Sequence, residues 1–178
     1  MNLKKIKLIS ILGIFVISFL THFIYNIFPN IITSIIFPVN ESIWEHMKIL
    51  FTSQIIYSII DYFLIKHNNI QISNFKSNVF ITSFLSIPIY LIIYLPIRII
   101  FGENLIVSIL LMIIVFIISQ IISYKILTSK ENKLLNKYSL ILIIICYIIF
   151  GILTYYPPQN FIFYDTSQKI YGIKKKID

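Results

Sequence analysis

Five long runs of apolar residues, separated by short polar segments, dominate the chain. They cover residues 6–28, 47–65, 79–100, 105–127 and 140–156. Each run has the roughly 17–25 residues that a helix needs to cross a hydrocarbon core about 30 Å thick. The alternation of polar and apolar positions that marks membrane β-strands is missing. We therefore predict an all-α, polytopic membrane bundle of about five transmembrane helices, formed as a single domain over residues 1–178.

Composition strengthens this prediction and excludes one class of partner. Hydrophobic residues make up 58% of the chain and charged residues 12%, whereas about a quarter of a soluble domain is charged. The chain needs a lipid bilayer as its solvent, and we expect a multi-pass protein of the cell membrane. The net charge of +8 does not indicate a nucleic-acid partner, because the basic residues are scattered among short loops, as topology determinants are.

The distribution of basic residues predicts the orientation. An N-terminus inside the cell would leave nine lysines on the cytoplasmic side and only Lys48 and Arg98 in the outer loops, although the four lysines of the C-terminal tail oppose this arrangement. The first run starts like a secretory signal but continues past Leu20 without a small-residue cleavage site, so we expect a retained span. We predict an N-inside, C-outside protein whose loop 29–46 and tail 157–178 share the outer face.

The segment from Pro38 to Lys48, PVNESIWEHMK, holds the most informative polar residues. Asn40 is predicted to cap the second long helix, with Glu41 in its first turn. One interpretation is a capped helix start with an i, i+3 ion pair and Trp44 at the membrane interface. The alternative is that two carboxylates and His46 form a reactive or ligand-binding group at the mouth of the bundle.

Two further ionisable residues could join that group. His22 lies about 24 Å into the first span, and an ionisable residue at such a depth is a functional candidate, although a hydrogen bond to another helix would also explain it. The aromatic tail should fold back and bring Asp165 towards the same face. The candidate catalytic residues are therefore His22, Glu41, Glu45, His46 and Asp165. The candidate ligands for a divalent metal such as zinc are His22, Glu45 and His46.

The third span carries a polar stripe of its own. Its members, which share one helix face, are Ser83, Ser86, Tyr90, Tyr94 and Arg98. Polar side chains of this kind commonly bind neighbouring helices to each other in membranes. A lined cavity is the alternative interpretation.

The Pro38–Lys48 segment, the His22–Tyr25 segment and the terminal TYYPPQNFIFYDTSQKIYGI together resemble an uncharacterised family of small bacterial integral membrane proteins, a domain of unknown function. The resemblance covers nearly the whole chain, rests on a PVNES-x-WEH-x-K block and a TY-x-PP block, and leaves residues 174–178 outside. It implies no activity. The positions that it marks are His22, Asn40, Glu41, Trp44, Glu45, His46, Lys48, Pro157, Pro158, Asp165, Tyr171 and Gly172.

Three function classes fit these observations. The first is a non-catalytic partner-binding or sensing protein, with another membrane protein or a second copy of the chain as its partner. The second is a metal-dependent hydrolase or transferase with a His/Glu pocket on the outer face, although no HExxH motif is present. The third is a small transporter or substrate-capture subunit, with Tyr90, Tyr94 and Arg98 lining its site. The first class is our leading expectation.

Overall fold

The computed structural model describes residues 1–173 and confirms the all-α bundle. Five of its helices are long and apolar enough to cross a membrane, so the protein is a multi-pass membrane protein. The long helices are α1 (Leu3–Ile27), α3 (Ile43–His67), α4 (Phe75–Phe101), α5 (Leu105–Thr128) and α6 (Lys133–Tyr155). A short helix α2 (Ile31–Ile36) and a hairpin of β1 (Tyr164–Asp165) and β2 (Ile170–Tyr171) were not predicted.

Helices α1, α3, α4 and α6 begin before their apolar runs, because polar residues at their starts continue the helix. Helix α6 begins at Lys133, well before residue 140, since lysine can bury its methylene stem while its charge stays in water. Helix α3 begins at Ile43, with Ser42 as its N-cap, so the predicted cap at Asn40 was wrong. Asn40 instead accepts a hydrogen bond from the Ser42 N–H at 2.9 Å and donates one to the Gly172 carbonyl at 2.8 Å.

Four of the long helices form a ring. Helix α1 packs on α3 and α5, and α4 packs on the same two helices from the other side, while α6 lies outside the ring against α4 and α2. Buried residues such as Ile14, Phe51 and Val115 fill the interior. Large apolar side chains, such as Leu12 and Leu110, are exposed on the outer surface, where a bilayer would cover them.

Helices α1 and α3 approach each other closely. A Cβ atom on Gly13 would lie only 1.9 Å from a ring carbon of Tyr57, so the absence of a side chain lets the Tyr57 ring lie against α1. Further along the same interface, Lys7 forms a buried ion pair with Asp61 at 2.5 Å, and the Ser10 hydroxyl donates to the same carboxylate at 2.6 Å. Lys7 is therefore part of the helix interface rather than of a loop.

We call the end of the bundle where α1 and α6 end and α3 begins the hairpin end, because the β-hairpin packs there. The Trp44 backbone N–H donates to the Ile162 carbonyl at 2.9 Å, and the Trp44 ring packs against Phe150 and Phe163. The tail thus lies over the start of α3. Residues 174–178 of the predicted tail lie outside the described residues.

Candidate metal site

Three side chains from different segments converge at the hairpin end. His22 comes from the last two turns of α1, Glu41 from the loop before α3, and His46 from the first turns of α3. The Nε2 atom of His22 lies 3.3 Å from Glu41 Oε1, and the Nε2 atom of His46 lies 3.4 Å from Glu41 Oε2. One donor atom from each residue falls within 4.8 Å of the others. The group is compact enough for a single ion.

A backbone contact determines which nitrogen of His46 is free. Its Nδ1 atom lies 2.9 Å from the Ser42 carbonyl oxygen, which can only accept, so Nδ1 carries the hydrogen and Nε2 turns towards Glu41. A neutral imidazole in this tautomer would point a lone pair at a carboxylate. The arrangement therefore requires a proton or a metal cation between the two groups, and metal-binding histidines commonly donate their other N–H in this way.

Glu41 is suited to act as an anionic ligand. Hydrogen bonds from His22 and His46 hold the pKa of its carboxyl well below the ordinary range, although burial opposes this shift. The side chain stays ionised at neutral pH and is 46% exposed. Its carboxylate can therefore reach both histidines and an incoming ion.

Asp165 contacts the backbone of Glu41 rather than joining the three converging side chains. Its Oδ2 atom accepts a hydrogen bond from the Glu41 backbone N–H at 2.8 Å, and its Oδ1 atom accepts from the Ser167 hydroxyl and from the N–H groups of Ser167 and Gln168. Burial alone would raise the pKa of Asp165, but these hydrogen bonds outweigh it and hold the pKa below the ordinary value. Asp165 therefore holds the backbone of Glu41 and is itself fixed by Ser167 and Gln168.

Glu45 lies outside the group to which sequence analysis assigned it. Its carboxylate forms an ion pair with Lys48 at 2.7 Å and accepts hydrogen bonds from the Thr154 hydroxyl at 2.7 Å and the Val39 N–H at 3.0 Å. Of the predicted ligands, His22 and His46 meet, and Glu41 takes the place predicted for Glu45. The reason is helical geometry: Glu45 lies on the face of α3 that turns towards α2 and α6, whereas His46 faces α1.

A cavity of about 510 Å³ lies directly beside the three side chains, inside the ring of α1, α3, α4 and α5. Two members of the predicted polar stripe, Tyr90 and Tyr94, form part of its wall. Glu103 lies at its rim, where it pairs with Arg98 and accepts a hydrogen bond from the Thr166 hydroxyl at 2.6 Å. Residues from all four helices line it, among them Phe15, His22, His46, Tyr90, Ser108 and Met112.

A family model described as "Family of unknown function (DUF6512)" matches residues 1–173. The chain belongs to this family. Membership of DUF6512 confirms the predicted relation to an uncharacterised domain of unknown function, and it supplies no activity. No curated protein and no solved structure matches the chain.

Sequence reasoning about this DUF6512 chain missed the residues that α5 and the loop before it contribute. Ser108 and Met112 line the cavity, and Glu103 lies at its rim. Their segment is nearly featureless in hydropathy, so only the adjacent Glu103-Asn104 pair could have drawn attention to it. Asn104 is the N-cap of α5.

Proposed function

We propose that this protein binds a divalent transition-metal ion of the zinc type through His22 Nε2, the Glu41 carboxylate and His46 Nε2. The observation that carries the proposal is a pair of distances. Ligand atoms about 2.0–2.2 Å from a tetrahedral zinc ion lie about 3.4 Å from each other. The two nitrogen-to-oxygen distances of 3.3 and 3.4 Å, each to a different oxygen of Glu41, are close to this spacing. One donor atom from each of the three residues also lies within 4.8 Å of the others.

The type and number of ligands also support the proposal. Two imidazoles and one carboxylate are a common zinc ligand set, and three protein ligands leave a fourth position for water or substrate. The free position would face the cavity. Asp165 and the Ser42 carbonyl would act as outer partners that orient Glu41 and His46.

The test is the metal content of the purified protein. We expect about one zinc per chain after the protein, in detergent, is stripped with a chelator, incubated with zinc chloride and desalted. His22→Ala and His46→Ala should each lose most of that zinc. His67→Ala is the matched control, because His67 is exposed at the far end of α3. Zinc retained by both site variants, or lost equally in His67→Ala, would contradict the proposal.

A second candidate function, hydrolysis, is favoured by the cavity beside the open position. A zinc ion with three protein ligands lowers the pKa of its bound water to about 7. The resulting hydroxide would add to the acyl carbon of an ester, and the alcohol would leave with the proton. Release of p-nitrophenol from a medium-chain p-nitrophenyl ester should require zinc and should be lost in His22→Ala.

Zinc binding without turnover would instead favour our leading sequence-based expectation, a non-catalytic partner-binding or sensing protein. A third function, substrate capture or transport, is supported by the tyrosines of α4 in the cavity wall. Zinc-dependent hydrolysis separates the enzyme from both other classes. Movement of a solute across proteoliposomes would separate the transporter from the sensor.

A further inference from the structure

The cavity reaches the lipid-facing surface between α1 and α5. Phe19 of α1 and Leu105 of α5 both line it, yet they are 46% and 76% exposed. Both belong to helices long and apolar enough to cross a membrane, so their exposed surfaces would meet lipid. A molecule dissolved in the bilayer can therefore enter the cavity sideways, without passing through water.

The dimensions of the cavity suit one hydrocarbon chain. Its wall on α1 runs from His22 to Phe15, which is about 10 Å along a helix axis and about a third of a hydrocarbon core of about 30 Å. The volume of about 510 Å³ lies within the roughly 300–1,000 Å³ of ordinary small-molecule sites. The cavity can hold the part of a chain nearest its head, while the remainder lies between α1 and α5 among the lipid tails.

The polar end of the cavity determines the charge of the head. With a divalent ion bound, the two neutral imidazoles and the ionised Glu41 leave one net positive charge. The other acidic residue at the rim, Glu103, is already paired with Arg98. An anionic oxygen, from a carboxylate or a phosphate, is the group that a zinc-type ion with an open position would bind.

We infer that the cavity takes a single-chain membrane amphiphile with an anionic oxygen head, which enters between α1 and α5 and places its head at His22, Glu41 and His46. The identity of the head rests on the proposed metal site. The lateral entry and the apolar wall do not depend on a metal ion. The two parts can therefore fail separately.

The experiment uses a C16 fatty acid that carries a photoreactive diazirine near its carboxylate, added to the zinc-loaded protein in nanodiscs. Cross-links should map to residues 15–23 of α1 and 105–112 of α5. Ile109→Trp should reduce labelling at least about tenfold, because Ile109 lines the cavity and the larger ring would fill it. Leu110→Trp is the matched control, because the neighbouring Leu110 is 54% exposed on the outer surface and should label like the wild type.

Three results would overturn the inference. The first is undiminished labelling in an Ile109→Trp protein that still binds zinc. The second is label in the wild type spread evenly over lipid-facing residues of α6, a readout that does not depend on the folding of any variant. The third is equal labelling by the methyl ester of the probe. This ester lacks the anionic carboxylate, so equal labelling would show that the cavity does not recognise an anionic head.

The proposed function fails separately, through the absence of zinc in the wild type. In that case, labelling of the cavity that does not change on addition of a chelator would retain the lateral entry and remove the role of the metal. Sodium acetate serves as the soluble competitor. If acetate at the same concentration as the probe abolished the labelling, the site would bind free anions rather than lipid heads. This result too would overturn the inference.

Discussion

Glu45 and Lys48 form an ion pair of 2.7 Å in which the two side chains are 1% and 0% exposed. The Lys48 ammonium also donates to the Ser34 carbonyl of α2 at 2.7 Å, and the Glu45 carboxylate accepts from Thr154 of α6. The pair therefore joins α2, α3 and α6 at the hairpin end. It is a structural centre beside the candidate site, on a different face of α3 from His46.

Removing one charge of this pair should destabilise the fold. Glu45→Gln would leave the Lys48 ammonium buried without its counter-ion, which typically costs about 3–5 kcal/mol. Unfolding in mixed SDS micelles would measure the change in free energy. The double variant Glu45→Gln/Lys48→Met should be more stable than Glu45→Gln alone, because the unpaired charge is gone. Full stability of the single variant would exclude this role.

Asp165→Ala should weaken zinc binding without removing a ligand. The substitution deletes the acceptor that holds the Glu41 backbone N–H, and loss of such an outer partner commonly lowers metal affinity by about 10–100-fold. Competition with a zinc chelator dye would measure the affinity, while the stoichiometry at saturation should remain about one. Ser167→Ala, which removes one of several donors to Asp165, should have a smaller effect.

Acid should destabilise the metal-free protein partly through Asp165. Its pKa in the folded protein is held below the ordinary value, so ionised Asp165 contributes stability above the unfolded value of about 3.9. This contribution disappears as the pH falls towards the folded value. We expect the difference in unfolding free energy between wild type and Asp165→Asn to shrink below about pH 4. A constant difference from pH 7 to pH 3 would refute it.

Gly13→Ala should separate α1 from α3. The new methyl group would collide with the Tyr57 ring, and overpacking of this kind costs about 1–3 kcal/mol. Leu12→Ala, on the exposed side of the same helix, should be nearly neutral in the same SDS unfolding assay. Adding Tyr57→Leu should rescue part of the loss, and a Gly13→Ala protein as stable as Leu12→Ala would contradict the packing argument.

The N-inside, C-outside orientation remains a prediction. Eight of the nine lysines on the predicted inner side still support it once Lys7 is counted as neutralised by Asp61. A reporter fused after residue 178 should behave as extracytoplasmic. Cytoplasmic behaviour would reverse the predicted inner and outer faces, although the contacts at the hairpin end would stay the same.

Hydropathy alone was sufficient to predict the five long helices, because the hydrocarbon core imposes the length and composition of every span. The same signal cannot identify α2, whose six residues are too few to cross a membrane. It cannot identify the hairpin of β1 and β2 either, since two-residue strands carry no periodicity. Both elements depend on contacts with α6 and α3 that only the folded chain provides.

The candidate site was predictable in part for a related reason. The depth of His22 and the spacing of Glu41 and His46 indicated which polar groups needed partners. Helical periodicity separates the faces of α3 but does not say which neighbour each face meets. Glu45 was therefore assigned to the site although it pairs with Lys48, and the cavity wall from α5 was not found.

His22, Glu41 and His46 are synthesised early, long before the tail residue that contacts Glu41. The metal site could therefore begin to form before the chain is finished. All three proposed ligands lie within the first 46 of 178 residues, so an ion could join the first two long helices while the rest of the ring does not yet exist. Asp165, which holds the Glu41 backbone, lies 119 residues after His46, a delay of about 6–24 s at about 5–20 residues per second. An early ion would be held loosely until the tail arrives, so a ribosome-stalled chain ending near residue 130 should exchange zinc faster than the finished protein.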